Sequence, residues 1–163
     1  GGQKEHVEAV TPVPADFGVQ ERVRFVGMVP YEKLSSYLAM CNIFVTASVT
    51  EVHPYTVIEA MGAGLPIMGI DSPGVGDSVV DGESGLLARE DLASYTAKLT
   101  HLCLNRDLQK KFGAEARKTS EQFSIERTTK IMVSHYSRLT QNTKPVKPKL
   151  DERLMAILEE FLK

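Results

Sequence analysis

Cysteine is scarce in this sequence. Only Cys41 and Cys103 occur among 163 residues, and no C-x-x-C pair is present. That excludes a disulfide framework or a zinc knuckle as the organising device. Both cysteines fall in apolar helical patterns and read as reduced core residues, which suits a cytoplasmic compartment. No His/Cys/Asp/Glu group has metal-ligand spacing, and neither a G-x-S-x-G elbow nor a Walker loop occurs. A basic surplus is missing too: 19 Lys and Arg face 21 Asp and Glu, for a net charge of -2. A nucleic-acid partner is therefore not expected. No apolar run nears the roughly 20 residues needed to span a bilayer, and none reads as a signal peptide. Repeats and low-complexity tracts are absent from the sequence.

What is present is an ordinary globular composition, 42% apolar and 25% charged, on a chain long enough for one core. The chain centres on SVTEVHPYTVIEAMGAGLP, Ser48 to Pro66. The β-type run NIFVTA (Asn42 to Ala47) leads into it. A polar turn follows, then a helical pattern with Val57, Ile58 and Met61 on one side. Gly62, Gly64 and Pro66 close the unit, and a second apolar run, IMGI, comes next. This reads as strand, loop, helix, strand, with the loop at the carboxyl end of the first strand. In a parallel α/β sheet ligands bind at that edge, because the helix N-terminus turns free N–H groups into the crevice.

Two carboxylates frame the helix start: Glu51 in the loop and Glu59 one turn inside the helix, with seven residues between them. An anion on the helix N-terminus would be repelled by both. Sugar hydroxyls would not, since a carboxylate accepts two of them in fixed geometry. The plainer alternatives are a Glu51 favoured by the helix dipole and a Glu59 that is an exposed helix carboxylate.

The pattern E-x7-E-A-M-(G/A)-x-G-x-P, preceded by a strand and S-x-x-E, resembles the donor-binding signature of retaining glycosyltransferases of family 4. The resemblance extends from about Glu21 to Leu139. It takes in VRFVGMVPYEKLSSYLAMCNIFVTAS before the motif, SPGVGDSVVDGESGLLARED after it, and Phe123-Ser124 after a charged helix. It implies an α/β fold, a Rossmann-like parallel sheet flanked by helices, forming the C-terminal half of a GT-B fold without its first strands. It implies a nucleoside-diphosphate sugar as donor and no metal or other cofactor. By resemblance Glu51 holds donor-sugar hydroxyls and Glu59 holds the ribose 2′ and 3′ hydroxyls. The N–H groups of Tyr55, Thr56 and Val57 become candidate phosphate donors, and the backbone near Val29 lies against the base. The family usually has Glu-x-Phe-Gly where this chain has Glu51-Val52-His53-Pro54. Pro54 removes one N–H from the helix start. His53 stands in the aromatic position, either as a ring near sugar or phosphates or as a half-buried loop histidine.

Residues 1–141 are expected to form this donor domain. GGQKEHVEA reads as a glycine turn opening into a helix, or as a frayed or engineered terminus at Gly1 and Gly2. The family's basic pair and its acceptor-binding N-terminal domain have no counterpart in this sequence, so the isolated chain is expected to be inactive. TPVPAD (Thr11 to Asp16) reads as a loop interrupted by Pro12 and Pro14, and VRFVG as a short strand ending at Gly27. Pro30 marks a helix start, and Leu34, Leu38 and Cys41 share a face of the helix after it. Gly64 suits a left-handed helix cap. Gly74 and Gly76 allow close backbone approach at a crevice wall, with Gly74 a candidate contact. From Glu90 on the pattern is helical, with Leu92, Tyr95, Leu99, Leu102 and Cys103 on one stripe. Residues 142–149 read as a basic linker. Residues 150–163 read as an amphipathic helix that crosses to an N-terminal domain or docks on its own domain. Peripheral contact at the inner face of a membrane belongs to the full-length enzyme the resemblance implies. Two other functions fit the pattern: a non-catalytic nucleotide-binding or interaction domain, and half of an NAD-dependent enzyme.

Overall fold

The computed structural model describes residues 12–142 and residue 160. The first eleven residues, the linker from residue 143 and the remainder of the tail segment lie outside the described residues.

Three parallel strands form the sheet in the order β1-β2-β3: Phe44–Val45, Ile67–Ile70 and Gly85–Ala88. Phe44 is paired with Ile67, and Ile67 in turn with Gly85. The helices are α1 (Val13–Asp16), α2 (Tyr31–Met40), α3 (Tyr55–Gly62), α4 (Val75–Ser78), α5 (Leu92–Leu104), α6 (Arg106–Ser120) and α7 (Ile125–Asn142). Short 3-10 turns occupy Gln20–Arg22 and Glu121–Phe123.

Successive strand residues point to opposite faces, and each face of the sheet has its own core. On one, Ile67 and Leu87 pack with Leu38, Val57, Met61, Val75 and Ala116, and Phe44 joins them. On the other, Met68 and Ala88 pack with Leu102 and Phe112, supported by Ile43, Leu86, Tyr95 and Leu99. A sheet covered on both sides explains why IMGI is an unbroken apolar run: all four residues of β2 are buried. Just past α3, Gly64 has a φ of 82°, the expected left-handed cap. There α6 crosses so closely that a side chain on Gly113 would overlap the Gly64 carbonyl.

Four expectations need correction. VRFVG is extended at Val23 but forms no strand among the described residues, and Phe25 and Val26 are exposed. TPVPAD contains one helical turn, α1, since proline is tolerated in a first turn, where its missing N–H has no helical partner. The cysteines are exposed free thiols. Cys41 lies just past the end of α2, in extended backbone. Cys103 is turned about 100° from Leu102, the fully buried residue of α5. Leu92 is likewise exposed, at the first position of α5, so the buried stripe begins at Tyr95. No helix among the described residues is long and apolar enough to cross a membrane.

Candidate functional site

The loop from Thr46 to Pro54 leaves β1 at its carboxyl end, and four contacts fix its path. The Tyr95 hydroxyl, from α5, donates to the Thr46 carbonyl at 2.9 Å. The Ser48 N–H donates to Thr46 Oγ1 at 3.3 Å. The buried Ser72, just beyond β2, donates its hydroxyl to the Ser48 carbonyl at 3.2 Å. Gly74, at the mouth of α4, lies against the backbone of Glu51. Its φ is 81° and ψ is -56°, so only glycine adopts this backbone without strain, and an added Cβ would collide with the Glu51 carbonyl. The Gly74 N–H is held by the Asp77 carboxylate at 3.1 Å. Thus Gly74 is a crevice wall, and the loop it braces is the one that carries Glu51.

Glu51 is half-buried, and one of its oxygens, Oε1, accepts from the Ser48 hydroxyl at 2.9 Å. This is the S-x-x-E spacing realised as an i,i+3 hydrogen bond. It engages one oxygen and leaves lone pairs on the other for an external donor. Val52 is almost fully exposed. His53 is exposed as well, but its ring has two aromatic neighbours, edge-on to Tyr55 at 5.0 Å and near Phe123 at 5.9 Å. Phe123, from the turn after α6, therefore joins this loop across the fold.

Pro54 is buried and has φ -78° and ψ 83°, an inverse γ-turn in which the Tyr55 N–H donates back to the His53 carbonyl at 2.9 Å. The Pro54 carbonyl then accepts from both Val57 N–H and Ile58 N–H, at 3.0 and 3.1 Å. Of the three expected phosphate donors, Tyr55 and Val57 are engaged inside the turn, and the Val57 side chain is buried. Only the Thr56 N–H has no hydrogen-bond partner among the described residues. The proline ring fixes φ of residue 54 in the range this turn uses.

Glu59 lies on the opposite flank of α3. It is half-buried and lines a cavity of about 580 Å³ between α2 and α3, with Tyr31, Glu32, Leu34, Ser35, Leu38, Gly62 and Ala63. The Glu59 carboxylate raises the pKa of the Tyr31 phenol, first as hydrogen-bond acceptor and then by its charge, with a small contribution from burial. Val29 is half-buried in the loop before α2 and does not line this cavity. The two acids therefore face separate walls: Glu51 the β2–α4 turn, Glu59 the α2 helix. Between them sits the N-terminus of α3, whose dipole favours negative charge. Such an arrangement can accept hydroxyl hydrogens on either side of an anion.

Sequence reasoning missed Tyr31, Ser72, Tyr95 and Phe123 as parts of this site. Ser72 was within reach, since it precedes the Pro-Gly pair that meets the Glu51 loop. Tyr31, Tyr95 and Phe123 belong to other helices or turns; Phe123 was marked only by the resemblance and Tyr95 only as a core residue, and nothing in the sequence ties them to the Glu51 loop.

Comparison with known proteins places this geometry in a family. The family model of the glycosyl transferases group 1 matches residues 2–119. The D-inositol 3-phosphate glycosyltransferase of Nocardia farcinica is 28% identical over 138 residues, covering 84% of this chain and 31% of that protein. This chain thus spans about a third of the length of that relative. Among solved structures, sucrose-phosphate synthase from Thermosynechococcus elongatus superposes with a TM-score of 0.75 at 23% identity, over 88% of this chain and 36% of the other. Anabaena HepE in complex with UDP gives 0.76 at 19% identity, over 85% and 38%. Both share the fold, the open parallel sheet flanked by helices of the GT-B glycosyltransferases. With well over half of its residues matched, the chain belongs to the glycosyl transferases group 1.

Proposed function

We propose that this chain is the donor-binding part of a retaining glycosyltransferase of family 4, which transfers a sugar from a nucleoside diphosphate to an acceptor. The observation that carries this reading is the pair of half-buried carboxylates on opposite flanks of the α3 N-terminus, at the carboxyl edge of a parallel sheet. The diphosphate lies on that N-terminus, where the Thr56 N–H has hydrogen-bonding capacity to spare. As the bond from sugar to phosphate breaks, the growing charge on the leaving group is stabilised by this fixed donor and the helix dipole. Glu51, steadied by Ser48, orients the donor sugar through its hydroxyls. Glu59 orients the ribose. His53, between Tyr55 and Phe123, presents an aromatic edge to the same crevice.

The transfer is front-face and metal-independent, so no residue of this chain acts as covalent nucleophile. Acceptor-side groups come from an N-terminal domain, and the 163-residue chain alone binds donor without turning it over.

Calorimetric titration with UDP, GDP, ADP and their sugars tests the reading; UDP comes first because HepE, with the same fold, is found in complex with it. One diphosphate is expected to bind in preference. Glu59→Ala is expected to weaken it by about 1–3 kcal/mol, the cost of losing hydrogen bonds to a charged group. Indifference of the bound diphosphate to Glu59→Ala, or binding of NAD and none of these diphosphates, would overturn it.

A further inference from the structure

Helix α7 leaves its apolar face in the open. Every residue from 125 to 141 is exposed, yet the apolar ones stand in helical register. Ile125, Met132 and Tyr136 occupy positions i, i+7 and i+11, Thr129 fills i+4, and Val133 lies beside Met132. Met132 is 46% exposed and Tyr136 60%. A lone helix with this much Thr, Ile and Val is marginal in water, because most helices are held by the packing of an apolar face. Such a face needs a cover.

We propose that the cover is the chain's own tail, residues 150–163, laid antiparallel along α7. The tail repeats the stripe of α7 at the same spacing. Leu150, Leu154, Ile157 and Phe161 stand at i, i+4, i+7 and i+11, with Leu158 beside Ile157 as Val133 is beside Met132. Glu160 is helical and exposed, as a residue outside that stripe should be. Proline does not continue a helix, so Pro145 and Pro148 separate the two stripes. The seven residues 143–149 between them suit a connection between packed helices, usually about 2–8 residues long. Charge selects among possible covers. On α7 Arg127, Lys130 and Arg138 outweigh Glu126, whereas in the tail Asp151, Glu152, Glu159 and Glu160 outweigh Arg153 and Lys163. A second copy of α7 would set like charge against like, and an anionic lipid surface that drew in α7 would repel the tail beside it. The tail is complementary in both apolar pattern and charge, and its short tether makes docking intramolecular.

The test is amide hydrogen exchange, read by mass spectrometry on the full 163-residue chain at two protein concentrations. Ile157→Asp sets a charge in the middle of the tail stripe and leaves α7 untouched. Amides of residues 130–141 are expected to exchange about tenfold faster in this variant than in the wild type, since an uncovered helix end opens at little cost. Glu160→Gln, on the exposed side of the tail, is expected to keep the wild-type rates. Peptides from β2 and β3 are expected to exchange alike in all three proteins, which tells loss of the cover from loss of the fold. Equal α7 exchange in the wild type and Ile157→Asp would overturn the proposal and leave the face to another domain. Protection that rises with protein concentration would assign the face to a second copy and overturn it as well.

Discussion

Replacing Gly74 by alanine separates backbone strain from loop displacement. Gly74 has φ 81°, a region where a residue with a Cβ costs about 1–3 kcal/mol. For a chain of this length each kcal/mol lowers the melting temperature by about 2–4 °C, so strain alone predicts a loss of roughly 2–12 °C. A second cost falls on the neighbour, because the new Cβ overlaps the Glu51 carbonyl carbon and oxygen and the loop must move. Gly82→Ala supplies the comparison: its φ of 78° is also positive, and nothing lies near its Cβ. We expect Gly74→Ala to melt below Gly82→Ala by scanning calorimetry. We also expect it to shift Glu51 off its hydrogen bond with Ser48, so that a sugar-bearing nucleotide loses the affinity it gains over the bare diphosphate. Gly82→Ala should retain that gain in full. Equal melting temperatures for the two variants, with the sugar contribution intact in both, would show that the contact between Gly74 and Glu51 does not hold the site.

Leu102→Ala should destabilise the chain by about 2–5 kcal/mol in urea unfolding, since this fully buried side chain fills the core between α5, α6 and β2 and leaves a cavity. Tyr95→Phe removes the hydroxyl that holds the Thr46 carbonyl and should cost about 0.5–1.5 kcal/mol near neutral pH. Burial raises the Tyr95 pKa above the ordinary tyrosine value, so the folded state holds this proton more tightly than the unfolded state. The stabilisation is complete below about pH 10, where the unfolded phenol still keeps its proton, and is lost as pH rises through the folded pKa. The stability gap between wild type and Tyr95→Phe should therefore narrow from pH 8 to above pH 10; a constant or widening gap would contradict it. Tyr31, also raised, is common to both proteins and cancels in the comparison.

What could be read from the sequence was what neighbouring residues decide among themselves. IMGI is a strand because four apolar residues are bounded by Pro66 and Asp71, and α3 stops where Gly64 turns left-handed. The S-x-x-E spacing became a hydrogen bond because its two ends lie three residues apart. VRFVG has the same apolar character, but a strand is a relation between two segments, and composition does not say whether the second is there. The cysteines failed for a related reason. Helical phase ranks residues around an axis, but burial depends on where the neighbouring element ends, and α2 ends before Cys41. The site divides along the same line. Glu51 and Glu59 are visible as letters at a spacing, whereas what makes them useful comes from elsewhere: Ser72 and Gly74 beyond β2, Tyr31 on α2, Tyr95 on α5, Phe123 after α6. The motif carries the two carboxylates, and the fold packs residues from other elements around them. A substitution outside the motif, at Gly74, should therefore alter binding without changing a single letter between Glu51 and Glu59.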